Sequence, residues 1–202
     1  YGSIISSLVY VRNTTELTEL EEKSFKSARI YLDTNTIFSA LGFHTEEMKQ
    51  SATELLDLIT SAGLELWAFE FTVDEICGFF RAYASEGHKY PSGIKVDFVL
   101  SNFKQKGLGL SDINEMVVKI EHTLNDIGIR VDPTPDVSLK DYQSPSEVLQ
   151  GRVSAEKTEK PLTSINHDIA AIDYIRKFRR GNVRSIEDPK AIFLTADNSL
   201  NR

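Results

Sequence analysis

The sequence predicts an α/β fold built on a mainly parallel sheet, and two observations carry this. Short apolar runs alternate with stretches of helical periodicity along all 202 residues, the pattern of strands joined by helical crossovers. Two of those runs, Arg29-Ile-Tyr-Leu-Asp33 and Ala191-Ile-Phe-Leu-Thr195-Ala-Asp197, lie far apart in the chain, yet each stops on a carboxylate. A carboxylate just past a strand end sits in the crevice where open α/β sheets bind ligands. If the two strands lie side by side, Asp33 and Asp197 meet.

The elements follow in order. Residues 1–28 read as an amino-terminal helical extension, with 14–27 a polar helix capped by Thr14 or Thr15 and lined with Glu and Lys. The first strand spans 29–33; Thr34, Asn35 and Thr36 favour caps and helix starts, and Ile37 and Phe38 begin a helix. Over 45–62, Met48, Ala52, Leu55, Leu56, Leu58 and Ile59 recur at helical spacing behind a Thr45 cap, and Gly63 is the expected stop. The aromatic run 64–71 predicts a second strand, with Thr72 capping a helix over 73–84. An amphipathic stretch around 96–103 and a helix over 111–126, capped by Ser111 and ended near Gly128, form helical covering material. A third strand over 127–131 is closed by Pro133 and Pro135, and Pro, Asp and Ser mark a loop as far as 145. A helix over 146–153 and a polar stretch over 154–163 come next. The last helix, capped by Ser164 or Asn166, buries Ile169, Ala170, Ile172, Ile175 and Phe178 and holds Asp168 in its first turn, before a fourth strand over 191–195.

Composition narrows the classes. Hydrophobic residues at 41% and charged residues at 26% are ordinary globular usage, enough for one self-sufficient core. Cys77 is the lone cysteine, so no internal disulfide forms; a buried thiol and a reducing, cytoplasmic setting are expected. No apolar run nears the roughly 20 residues that span a bilayer, so no membrane partner is expected. The chain opens on Tyr1 and closes soon after the fourth strand, as expected of a domain excised from a longer protein whose other domains are candidate partners. A net charge of −7 gives no general attraction to phosphate backbones, so a nucleic-acid partner needs a local basic patch. Arg176, Lys177, Arg179, Arg180 and Arg184 offer one, unless they merely complement a helix dipole.

Four carboxylates fall at strand-to-helix junctions: Asp33 and Asp197 past strand ends, Glu75 and Asp168 in expected first helical turns. Gathered together they would raise one another's pKa and partly neutralise unless a cation occupied the site. All-oxygen ligation favours Mg²⁺ or Mn²⁺ over zinc, and such ions promote attack on phosphodiesters. The alternative for Glu75 and Asp168 is simple compensation of a helix dipole.

Leu32-Asp33-Thr34-Asn35, Thr72-Val-Asp-Glu75-Ile, His167-Asp168-Ile-Ala-Ala-Ile and Leu194-Thr195-Ala-Asp197, in that order, resemble the acidic quartet of the PIN-domain nucleases. The resemblance spans about 29–199, and residues 29–202 would form the domain. It implies a PIN-like three-layer sandwich around a central sheet of four or five strands. It further implies a Mg²⁺- or Mn²⁺-dependent ribonuclease, an endoribonuclease in particular, acting on single-stranded or structured RNA. Asp33, Glu75, Asp168 and Asp197 would be the catalytic, metal-binding carboxylates, with Asp74 competing with Glu75 for the second place. Thr34, Asn35, Thr195 and Asn198 would orient them, and Tyr90 or Tyr142 would stack on bases. Segments 87–126 and 138–163 exceed what a minimal domain of this type needs.

Other chemistries fit less well. His167-Asp168 resembles an HD-type phosphohydrolase motif, but His44, His88 and His122 do not complete its ligand set, and His167 itself is expected to point to solvent. A haloacid-dehalogenase phosphatase wants a second Asp where Asn35 stands. The competing class is a catalytically inactive PIN-like module that binds protein or RNA within a larger protein.

Overall fold

The computed structural model describes residues 28–85, 96–133, 139–156, 162–179 and 191–195. The expected amino-terminal extension, Asp197, Asn198, Tyr90, Arg180 and Arg184 lie outside the described residues. Strands β1 (Arg29–Leu32), β2 (Glu65–Phe69), β3 (Ile129–Asp132) and β4 (Ala191–Leu194) form one all-parallel sheet in the order β3-β2-β1-β4. The chain runs outward from β1 through β2 to β3, then returns to the far side of β1 for β4. The topological switch point therefore lies between β1 and β4, where ligand crevices open in such sheets.

Period-two alternation sends the two faces of the sheet into different cores. Ile30, Leu32, Leu66, Ala68 and Ile129 face the larger core, formed with α1 (Thr34–Ala40), α2 (Glu46–Ser61), α3 (Glu70–Ala84), α4 (Val96–Gln105) and α5 (Leu110–Asp126). Phe38, Phe43, Phe79, Phe80 and Phe103 interlock at its centre, mostly edge to face. Tyr31, Phe69 and Ala191 point the other way, onto Ala170, Ala171 and Ile175 of α7 (Leu162–Phe178). Helix α6 (Glu147–Glu156) packs on α7 through Leu149, Val153, Ile165 and Ile169. Helices on both faces make three layers, as expected from the α/β pattern. Cys77 is buried in the larger core, and its thiol pKa is raised by burial.

Several boundaries fall where the sequence places them. Thr45 caps α2 by accepting from the Met48 N–H at 3.3 Å, and Gly63 follows with φ of 78°. That left-handed conformation favours glycine. Other boundaries differ. Helix α3 begins at Glu70 with no side-chain cap, so Thr72 is inside it. Helix α5 starts at Leu110; its cap position is Gly109, whose N–H donates to Asp112 Oδ2 at 2.8 Å, rather than Ser111. Helix α6 runs on to Glu156, and α7 begins at Leu162, so Ser164 and Asn166 lie inside α7 and are buried rather than capping it. Among the described residues no helix is long and apolar enough to cross a membrane.

Candidate functional site: an acidic cluster at the switch point

Asp33 lies at the carboxyl end of β1, where its N–H donates to the Leu194 carbonyl at 3.1 Å and extends the β1–β4 pairing past the strand ends. Its side chain caps α1: Oδ1 accepts from the Thr36 N–H at 2.7 Å. On the other side Oδ2 accepts from the Thr195 hydroxyl at 2.8 Å, so the first residue after β4 holds the carboxylate from across the switch point. Asp33 is 5% exposed, and a buried carboxylate needs partners of this kind.

Glu75 reaches the same place from α3. The Thr34 hydroxyl donates to Glu75 Oε2, joining the start of α1 to the second turn of α3. The neighbouring Asp74 is exposed, which settles which of the two acids faces inward. Asp168 comes from α7 on the opposite layer, in the second turn of that helix and 8% exposed. Neither acid is in a first helical turn, contrary to expectation, because both helices begin earlier than the sequence suggests. Since a helix dipole acts mainly within its terminal turn, dipole compensation no longer accounts for Glu75 or Asp168.

His167 joins the acids, and here the sequence reading needs correcting. It is 4% exposed rather than pointing to solvent. Nε2 shares a hydrogen bond with the Thr72 hydroxyl at 3.1 Å and lies 3.7 Å from Glu75 Oε2; Nδ1 lies 3.6 Å from Asp168 Oδ1. The ring of Phe71 meets it edge to face at 5.1 Å. Burial alone pushes the imidazole pKa down, but Glu75, then Asp168 and Asp33, outweigh it and hold the pKa above the ordinary value. A signal for this burial was present in the sequence: 167, 170, 171, 174, 175 and 178 follow the spacing of one helix face.

The described residues thus link the three acids through intermediaries: Thr34, the neighbour of Asp33, donates to Glu75, and His167 stands between Glu75 and Asp168. Asn35 is half-buried, its carbonyl accepting from the Ser39 hydroxyl at 2.9 Å. Among the described residues no three His, Cys, Asp or Glu side chains are gathered closely enough to hold a metal ion by themselves. The donor chemistry of the cluster, carboxylate and hydroxyl oxygens, is that of a hard divalent cation. The chain matches no protein-family model, no curated protein and no solved structure with which it was compared.

Proposed function

We propose that the chain is a PIN-like, Mg²⁺- or Mn²⁺-dependent ribonuclease, an endoribonuclease in particular, that hydrolyses phosphodiester bonds of RNA. The observation that carries this reading is the linkage of Glu75 and Asp168, from both helical layers, to Asp33 at the crevice between β1 and β4: Thr34 beside Asp33 donates to Glu75, and His167 stands between Glu75 and Asp168. Carboxylates that repel one another are not needed to close a sheet, and the charge beyond what His167 offsets is what a bound cation would neutralise. Asp33, Glu75, Asp168 and Asp197 would hold the ion. When bound, such an ion lowers the pKa of an attacking water and offsets charge on the phosphate.

The chain's own residues prepare the site. The Thr36 N–H and Thr195 hydroxyl fix the Asp33 carboxylate, and the Thr34 hydroxyl next to it in the chain holds Glu75. Burial lowers the His167 pKa, but the charges of Glu75 and Asp168 on either side outweigh it and raise it, which favours a proton on the ring between them.

The test is Mn²⁺-dependent cleavage of a labelled single-stranded RNA. Loss of several kcal/mol of transition-state stabilisation predicts that Asp33→Asn slows cleavage by roughly 100-fold or more. Cleavage unchanged in that variant would overturn the assignment.

One observation favours the alternative, a non-catalytic PIN-like interaction module. The position of His167 between Glu75 and Asp168 lets an imidazolium neutralise them without a metal. Calorimetry with Mn²⁺ separates the readings: the nuclease takes up the ion and loses that uptake in Asp197→Asn, whereas the module takes up none.

A further inference from the structure

A second recess lies on α7, away from the acids. Asp168 shares the sheet-facing stripe with Ala171 and Ile175, whereas Asp173, Arg176 and Lys177 follow one another at i, i+3 and i+4 on a different stripe. Together with Tyr174 they form one wall of an open cleft of about 660 Å³; the other wall is Tyr142 and residues 145–146. That volume lies within the range of small-molecule sites. The cleft wall is anchored at two points. Asn166 Nδ2 donates to the Leu139 carbonyl at 2.7 Å, and the Tyr142 hydroxyl donates to Asp173 Oδ2 at 3.2 Å. Two turns of α7 therefore hold the 139–142 segment in place.

We infer that this cleft is a subsite for one nucleotide of a single-stranded RNA, its base against Tyr142 and Tyr174 and its phosphate at Arg176 and Lys177. The occupant's identity rests on the nuclease reading. Three features select it. Two tyrosines in a mainly apolar recess suit a flat, aromatic group, which stacking recognises without regard to sequence. Two exposed cations on its rim, in a chain of net charge −7, call for an anion beside that group. Asp173 uses one lone pair on Tyr142 and keeps others, so it can accept from base N–H groups, which a peptide's glutamate side chains do not offer. Asp168 and Lys177 are nine residues apart on one helix, roughly 14 Å along its axis.

The experiment measures anisotropy of a fluorescein-labelled oligouridylate of about twelve nucleotides, with the full chain in EDTA so that nothing is cleaved. Tyr142→Leu should weaken binding about tenfold, while Tyr142→Phe, which keeps the ring, should stay within about twofold. Lys177→Gln, at an exposed position that does not threaten folding, should flatten the salt dependence by about 0.7 in slope. Oligothymidylate binding with the same variant pattern supports the subsite and shows that the base, not the 2′-hydroxyl, is read. The inference is overturned by wild type failing to bind, by affinities unchanged in Tyr142→Leu and Lys177→Gln, by Tyr142→Phe being as damaging as Tyr142→Leu, or by a glutamate-rich peptide displacing the RNA. The two failures are distinguishable. RNA binding that depends on Tyr142 in a chain that cleaves nothing sinks the nuclease reading alone, and Mn²⁺-dependent cleavage with KM untouched by Tyr142→Leu sinks the subsite alone.

Discussion

Replacing His167 by Gln should reveal whether an imidazolium is the internal cation of the acidic cluster. Gln keeps a donor for the Thr72 hydroxyl but cannot carry charge. The ring is buried, 3.7 Å from Glu75 Oε2 and 3.6 Å from Asp168 Oδ1, so its removal leaves two carboxylates without their counter-charge. Breaking a buried charge pair costs about 3 to 5 kcal/mol. Taking the lower figure, because Thr34 still donates to Glu75, the melting temperature should fall by roughly 6 to 12 °C for a chain of this size. The pH dependence fixes the cause. Burial lowers the His167 pKa, the charges of Glu75, Asp168 and Asp33 raise it, and the net direction is upward. A raised folded pKa makes the proton stabilising: the contribution is complete below the unfolded value of about 6.5 and fades as pH climbs through the folded value. The gap between wild type and His167→Gln should therefore be widest in mildly acidic buffer and close in alkaline buffer. Thermal melts in EDTA across that range measure it. A gap that stays constant with pH would refute the imidazolium and leave only lost packing.

Two further outcomes follow from the same geometry. Phe38→Ala should cost about 3 to 5 kcal/mol in urea unfolding, because the ring is fully buried among Phe43, Phe79 and Phe80 with centroids 5.4 to 5.9 Å away; a loss under about 1 kcal/mol would show that this core collapses around the gap. Thr195→Val removes the 2.8 Å donor to Asp33 Oδ2 and should cost about 1.5 kcal/mol while weakening Mn²⁺ binding about tenfold by calorimetry.

The sheet and the placing of Asp33 were legible because strands buried on both faces are near-continuous apolar runs, and such runs show where they stop. Asp33 marks that stop and also serves as the helix cap that Thr34, Asn35 and Thr36 were expected to supply. Helix starts were harder to read. The run 64–71 carries Trp67, Phe69 and Phe71 at alternate positions, and a short, mostly apolar run of that length fits a strand or a buried helix equally well. Phe71 belongs to α3 and is stacked on Phe69 at 4.8 Å, so the aromatic pattern runs on across the strand-to-helix boundary. In α7 the polar Ser164 and Asn166 looked like boundary residues, yet Asn166 spends its amide on Leu139 within the fold. Misplacing that start by a turn is also why His167 was expected in solvent. The cluster's fastenings, Thr34 to Glu75 and Thr72 to His167, join residues 41 and 95 positions apart, and no local pattern encodes such pairs.

Asp33 itself supplies the sharpest distinction between a structural cluster and a functional one. Two of its fastenings, the cap to Thr36 N–H and the bond from Thr195, need an acceptor on one oxygen and a hydrogen-bonding group on the other. Asn provides both, since its amide can donate to the Thr195 hydroxyl, and Asn caps helices as well as Asp does. Neither of these two bonds needs the negative charge at 33, and beside Glu75 and Asp168 that charge adds repulsion, offset in part by its attraction for His167. If the charge is there for a divalent ion, removing it should stabilise the metal-free chain: Asp33→Asn should melt about 2 to 4 °C higher in EDTA, corresponding to about 1 kcal/mol. The same variant should lose the upward shift that Mn²⁺ gives wild type. A variant that melts below wild type in EDTA would mean that the carboxylate holds β1, α1 and β4 together, and the excess charge would no longer argue for a metal.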